Sequence, residues 1–273
     1  FLLVVFGFLW HMNVNSAKRE IVDELVYSSK LASQGWTSFV NTGLMGLEDI
    51  EEGVLSSRRN NLDIDRVLAQ HLDDDSFFDR ITVFSYEGEI VTTQGKTDVG
   101  ELNLVPEEIS SVSQELENND LQIMRISTNP AEDLPYFHII KAMPGEADQP
   151  GQILWGYINL REDRFSGTYK AALEPLKNNE GYGQIINDSG KIFYSSAENR
   201  SEDRFTGAKF STPTYYEAPS NDGAYLLRYF YPLEGGEWAV VTSAPAGAVY
   251  QNAWQNSWPI FLFGLRIFGI FII

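Results

Sequence analysis

In the first 160 residues, the side chains able to grip a small molecule are Tyr86, Arg125, Tyr136, His138, Lys141, Trp155 and Tyr157, all on segments that read as strands. A small-molecule pocket has a mostly apolar lining with a few convergent polar groups, and this set supplies both. Arg125 and His138 suit a carboxylate, which arginine can hold with two parallel hydrogen bonds. Period-two alternation puts Tyr136 and His138 on one face of their strand and Trp155 with Tyr157 on one face of theirs. The sequence alone leaves open whether those faces coincide. The expected binding set is therefore Tyr86, Arg125, Tyr136, His138, Trp155 and Tyr157.

Other chemistries lack their residues. His11, His71 and His138 share no metal-ligand spacing, and the chain has no Cys, which removes thiolate metal sites and disulfides alike. The acidic run HLDDDSFFD (71–79) does not follow an EF-hand loop and reads as a helix-to-strand turn with solvated carboxylates. No nucleophile elbow, phosphate-binding loop or HExxH motif occurs, and the GYG at 181–183 precedes a strand instead of opening a helix. We expect no catalytic residue, no metal and no cofactor. A formal charge of −18 argues against nucleic acid, whose phosphates are bound through Lys and Arg.

The elements that must position the candidates come in a fixed order. Ile21, Leu25, Ser28, Ala32, Trp36, Phe39, Gly43, Leu47, Ile50 and Val54 recur at helical spacing and predict one long amphipathic helix. Gly35, Gly43, Gly46 and Gly53 each weaken it by about 1 kcal/mol relative to Ala and allow a break near Gly43 to Gly46. A short helix is expected over 63–72 with Asp63 as its N-cap. Strands are expected over 77–86, 89–93, 121–127, 136–143 and 152–160, with a short helical stretch over 106–116 inside the acidic segment 97–120. After a helical connector over 161–178 come strands at 182–187, 191–195, 224–231 and 237–244, with a long polar excursion over 197–223. VFSYEGEIVT at 83–92 thus returns 102 positions later as IINDSGKIFY at 185–194, each a hairpin turning on a glycine. The chain reads as α+β, with one sheet design used twice.

Both ends are greasy. FLLVVFGFLW (1–10) and WPIFLFGLRIFGIFII (258–273) are each shorter than the roughly 20 apolar residues of a membrane span. We read them as the end of one transmembrane helix and the start of another, with Trp254 and Trp258 as interfacial anchors. The intervening region, about 15–255, is acidic with only Lys18 and Arg19 near its first end, which favours an extracytoplasmic position on a plasma (inner) membrane.

A long helix after a first span, two sheets each opened by a hairpin of the VFSYEGEIVTT or IINDSGKIFYSS kind, and EWAVVTSAPAGAVY leading to a second span together resemble the double Cache sensor domains of bacterial transmembrane receptors. The likeness covers roughly residues 15–250. It implies two PAS-like antiparallel-sheet modules behind a long N-terminal helix, flanked by truncated transmembrane helices. The expected division is 1–14 end of the first transmembrane helix, 15–60 signalling and dimerisation helix, 61–165 membrane-distal module, 166–250 membrane-proximal module, and 251–273 start of the second transmembrane helix. The resemblance further implies a non-enzymatic sensor that binds a small molecule in the distal module and signals to a cytoplasmic output domain. Many amino-acid-binding members carry an aromatic, Arg, Trp and Tyr cluster soon after the first hairpin. Here that stretch, GKTDVGELNLVPEEISS, has no Arg, Trp or Tyr, so an amino-acid ligand is not carried over. A homodimer is expected from the apolar stripe of the long helix. The competing readings are an extracytoplasmic protein-interaction module acting through 97–120 or 197–223, and a membrane-tethered enzyme.

Overall fold

The computed structural model describes residues 2–60, 63–72, 76–96, 112, 116, 122–129, 134–143, 145, 151–159, 167–197, 204–219, 223–233 and 238–272. Helix α1 runs without interruption from Leu2 to Arg59, so the break expected near Gly43 to Gly46 does not occur. The reason at Gly43 is local: a β-carbon there would lie 2.4 Å from Ile139 Cδ1 and 2.5 Å from Phe77 Cε1. The glycine admits close packing, and that packing offsets its weak helix propensity. Every position of the predicted stripe is buried.

The chain forms two compact units, one made of Phe1–Thr37 with Gly167–Ile273 and the other of Ser38–Ser166. In the Ser38–Ser166 unit, α2 (Ile64–Gln70) starts at Asp63, whose carboxylate accepts from the Asp65 amide at 3.1 Å. Strands β1 (Arg80–Ser85), β2 (Ile90–Gly95), β3 (Gln122–Asn129), β4 (Leu134–Met143) and β5 (Gln152–Asn159) build an antiparallel sheet in the order β2-β1-β5-β4-β3. Of the helix expected over 106–116, only Val112 and Leu116 lie among the described residues, and both are helical. The carboxylates of Asp73, Asp74 and Asp75 lie outside them.

In the other unit, helix α3 (Gly167–Leu173) and a 3-10 turn (Glu174–Asn179) lead into β6 (Tyr182–Asn187), β7 (Ile192–Ser195), β8 (Thr214–Pro219), β9 (Tyr225–Pro232) and β10 (Trp238–Pro245). Their order, β7-β6-β10-β9-β8, repeats that of the first sheet strand for strand. One expectation fails here: the polar excursion over 197–223 contains strand β8. Among the described residues this strand pairs only with β9, at the sheet edge, and its residues are half-buried or exposed, so the apolar alternation of an inner strand is missing. A proline at its end, tolerated at an edge, completes the disguise. Helix α4 (Ala246–Ile272) follows β10 and pairs with the start of α1 through Phe6 against Phe261 at 4.6 Å and Asn13 donating to Ser257 Oγ at 2.7 Å. Val4, Phe8, Ile260 and Phe263 on these helices are exposed. Among the described residues no helix is long and apolar enough to cross a membrane.

The recurring phrase of the sequence is the same hairpin twice. Gly88 and Gly190 turn the two hairpins at φ of +89° and +84°, and each hairpin shifts register at the same step, between Val83 and Phe84 and between Ile185 and Ile186. A side chain at such a φ strains the backbone by about 1–2 kcal/mol. Gly190→Ala is expected to cost more than this strain alone, because its β-carbon would also sit 3.0 Å from the Phe205 carbonyl oxygen. Urea unfolding of the variant checks this; a cost within about 1–2 kcal/mol would mean that the carbonyl yields.

Candidate functional site

The first sheet has one face committed to α1. Phe137, Ile139 and Lys141 of β4 point that way: Phe39 stacks near Phe137 at 5.6 Å, Gly43 abuts Ile139, and Lys141 Nζ meets Glu51 at 2.7 Å. Alternation then sends His138, Ile140 and Ala142 to the opposite face. Pairing of β4 with β5 sets His138 across from Tyr157 and Ile140 across from Trp155, while β5 with β1 sets Trp155 across from Thr82. The two faces that the sequence left unrelated are therefore one face.

On that face Phe84, Ile140, Ala142, Ile153, Trp155 and Tyr157 form one buried cluster, closed by Val112 and Leu116. Trp155 and Tyr157, two residues apart on β5, stack with rings 5.7 Å apart and 7° from parallel. His138 stands edge-on to Tyr157 at 5.0 Å, and Phe84 lies 5.6 Å from Trp155. Trp155 Nε1 donates to His138 Nδ1 at 2.9 Å. An accepting Nδ1 carries no proton, so the neutral imidazole holds its proton on Nε2 and is a donor there. The result is an aromatic floor with one oriented imidazole, able to seat an apolar body and to address a polar group. A carbonyl or carboxylate oxygen is the natural partner of such a donor.

Of the predicted residues, the structure brings His138, Trp155 and Tyr157 together and packs the half-buried Tyr86 against their cluster. Backbone register places Arg125 across from His138, and Tyr136 sits two residues before His138 on the same strand. The side chains of Arg125 and Tyr136 lie outside the described residues. Sequence reasoning missed Arg80, which register puts beside Tyr157, so that Arg125, His138, Tyr157 and Arg80 occupy one cross-strand row. Alternation within β1 carried that signal, since Arg80, Thr82 and Phe84 share a face. At the end of this row Lys96 Nζ lies 3.4 Å from the buried Asp79 carboxylate, and the Asp79 amide donates to the Tyr157 carbonyl at 2.8 Å. This pair ties the start of β1 to β2 and β5. Among the described residues no group of three or more His, Asp or Glu side chains could hold a metal ion.

No family model matches the chain, and no curated protein matches it. Solved structures do. The chain is similar to the ligand-binding domain of the Pseudomonas aeruginosa PAO1 amino acid chemoreceptor PctC in complex with GABA, at 17% identity and a TM-score of 0.57, covering 79% of this chain and 96% of that one. The ligand-binding domain of Mlp24 with asparagine gives 13% identity and a TM-score of 0.64 over 88% of this chain and 98% of that one. The periplasmic sensory domain of the Campylobacter jejuni chemoreceptor Tlp1 gives 11% identity and a TM-score of 0.61 over 84% and 96%. The chain has a long helix followed by two antiparallel sheets of matching strand order, and its fold is that of these solved domains, the double Cache fold.

Proposed function

We propose that the chain is the extracytoplasmic sensor region of a transmembrane signalling receptor, binding a small solute non-covalently on the α1-averted face of the first sheet. The observation that carries this reading is the convergence of His138, Trp155 and Tyr157 on one buried aromatic face with Arg125 in register beside them. The solved neighbours in complex with GABA and with asparagine support a ligand of that size. Residues 61–165 are the membrane-distal, ligand-holding module, 166–250 the proximal module, and the greasy ends at 1–14 and 251–273 the membrane attachment. The neighbour from a periplasmic sensory domain supports that placement. The region performs no catalysis. It works as a homodimer through α1 (15–60) and passes its state to a cytoplasmic output domain. A ligand moves such a device only by as much as it prefers one conformation to the other.

The test is thermal unfolding of the chain against a panel of amino acids, GABA and short organic acids. A true ligand at roughly 100 times Kd adds about 2.7 kcal/mol of stability, a shift of several degrees. His138→Leu is expected to abolish that rise. A flat response to the whole panel, or a rise untouched by His138→Leu, rejects the site.

A further inference from the structure

The two sheets match in the register of their shared rungs, not only in strand order. Their hairpins are related by 102 positions, so Arg80 of β1 corresponds to Tyr182 of β6. From there the pairings lead in parallel: Tyr182 faces Ser243, Ser243 faces Arg228 and Arg228 faces Tyr216, as Arg80 faces Tyr157, Tyr157 faces His138 and His138 faces Arg125. The apolar clusters correspond as well, with Ile186, Phe230, Ala239 and Val241 standing where Phe84, Ile140, Ile153 and Trp155 stand. The candidate row of the first sheet therefore has a counterpart in the second, at the same rung and on the same face.

That counterpart carries unmet polar atoms. Arg228 is 8% exposed, Ser243 is 1% exposed, and Arg228 Nε and Ser243 Oγ are buried with no hydrogen-bond partner, while the Tyr216 hydroxyl is buried beside the Arg228 guanidinium. No carboxylate among the described residues pairs with Arg228; its guanidinium lies 5.5 Å over the Phe205 ring. Burial raises the Tyr216 phenol above its ordinary pKa, opposed by the positive charge of Arg228 and by a side-chain hydrogen bond from it, so at neutral pH the phenol keeps its proton as a donor. Unpaired buried charge is costly, and an orphaned hydroxyl adds to that cost. Three donors on neighbouring strands, walled by Phe205, Phe210 and Phe230, describe a seat for an anionic head with a short apolar tail.

We propose that the second sheet holds its own binding site for a small monocarboxylate, with Arg228 gripping the carboxylate and Tyr216 and Ser243 donating to it. The proposal does not depend on the first-sheet site. Its test is titration of the full chain in detergent with sodium acetate, propionate, butyrate and benzoate, followed through the backbone resonances of Tyr216, Arg228, Val241 and Ser243, with sodium chloride at matched ionic strength as control. At least one acid is expected to give saturable shifts. Tyr216→Phe and Ser243→Ala should each weaken it by about 10- to 100-fold, the range for losing one hydrogen bond to a charged group. Ser243→Ala should leave the melting temperature unchanged, because its hydroxyl has no partner to lose. Arg228→Met should abolish the response, and the two hydroxyl variants decide the matter if that protein does not fold. Three results overturn the proposal: no shift beyond the chloride control, undiminished binding in the Tyr216→Phe/Ser243→Ala double variant, or a drop in melting temperature in Ser243→Ala, which would make the row a structural network. The first-sheet site is read separately through His138→Leu, so either site can fail while the other stands.

Discussion

Trp36→Ala is expected to destabilise the unit formed by Phe1–Thr37 and Gly167–Ile273 by about 3–5 kcal/mol, the usual cost of emptying a large aromatic site. The ring is 2% exposed and meets three others, Phe193 at 4.5 Å, Trp238 at 5.2 Å and Tyr169 at 5.6 Å. Such ring pairs contribute about 0.5–1.5 kcal/mol each beyond their buried area, so the cavity loses shape-specific contacts as well as volume. Backbone relaxation can recover little, because Gly35 beside it is already pressed against the Tyr169 amide, where an added β-carbon would sit at 2.8 Å. Amide exchange at Tyr169, Phe193 and Trp238 should accelerate in step with the global loss. A cost under about 1 kcal/mol would mean that the ring is not the keystone of that core.

The second large effect is expected at Trp155. Trp155→Ala removes the stack on Tyr157, the packing on Phe84 and the donor to His138, and should cost about 3–5 kcal/mol together with any thermal response to solute. Trp155→Phe separates these parts. It keeps most of the apolar area but withdraws the N–H that His138 Nδ1 accepts, at a cost of about 1–3 kcal/mol. The ring of His138 is then free to adopt the other tautomer, and the variant's solute response should weaken even where its stability is largely retained. A response that survives in Trp155→Phe at full strength would show that the orientation of the imidazole is irrelevant to binding. Heat unfolding with and without the solute that the panel identifies measures both terms on the same samples.

How far the sequence could be read follows from which physical signals are local. The stripe from Ile21 to Val54 was legible because helical periodicity is a property of neighbours in the chain, and the inner strands β4, β5, β9 and β10 were legible through their apolar content. Edge strand β8 was not, since half-exposed Thr214–Pro219 has no alternation to display. Gly43 looked like a weakness because its compensation comes from Ile139 and Phe77, distant in sequence. Within the candidate site, alternation placed Trp155 with Tyr157, but only cross-strand register could bring His138 to them. The same limit hid Arg80 and the whole Tyr216–Arg228–Ser243–Tyr182 row. Register is a relation between segments, and no single segment records it.

The register shift at Val83/Phe84 and its twin at Ile185/Ile186 have a consequence for engineering. Since both sheets keep the same frame through the irregular step, the chain contains two chassis with matching rungs that carry different side chains. Transplanting Tyr182, Ser243, Arg228 and Tyr216 onto positions 80, 157, 138 and 125 alters no strand length and no turn. Recognition chemistry can thus be moved between halves of one polypeptide as a four-residue cassette, leaving the scaffold's hydrogen-bond ladder as it was.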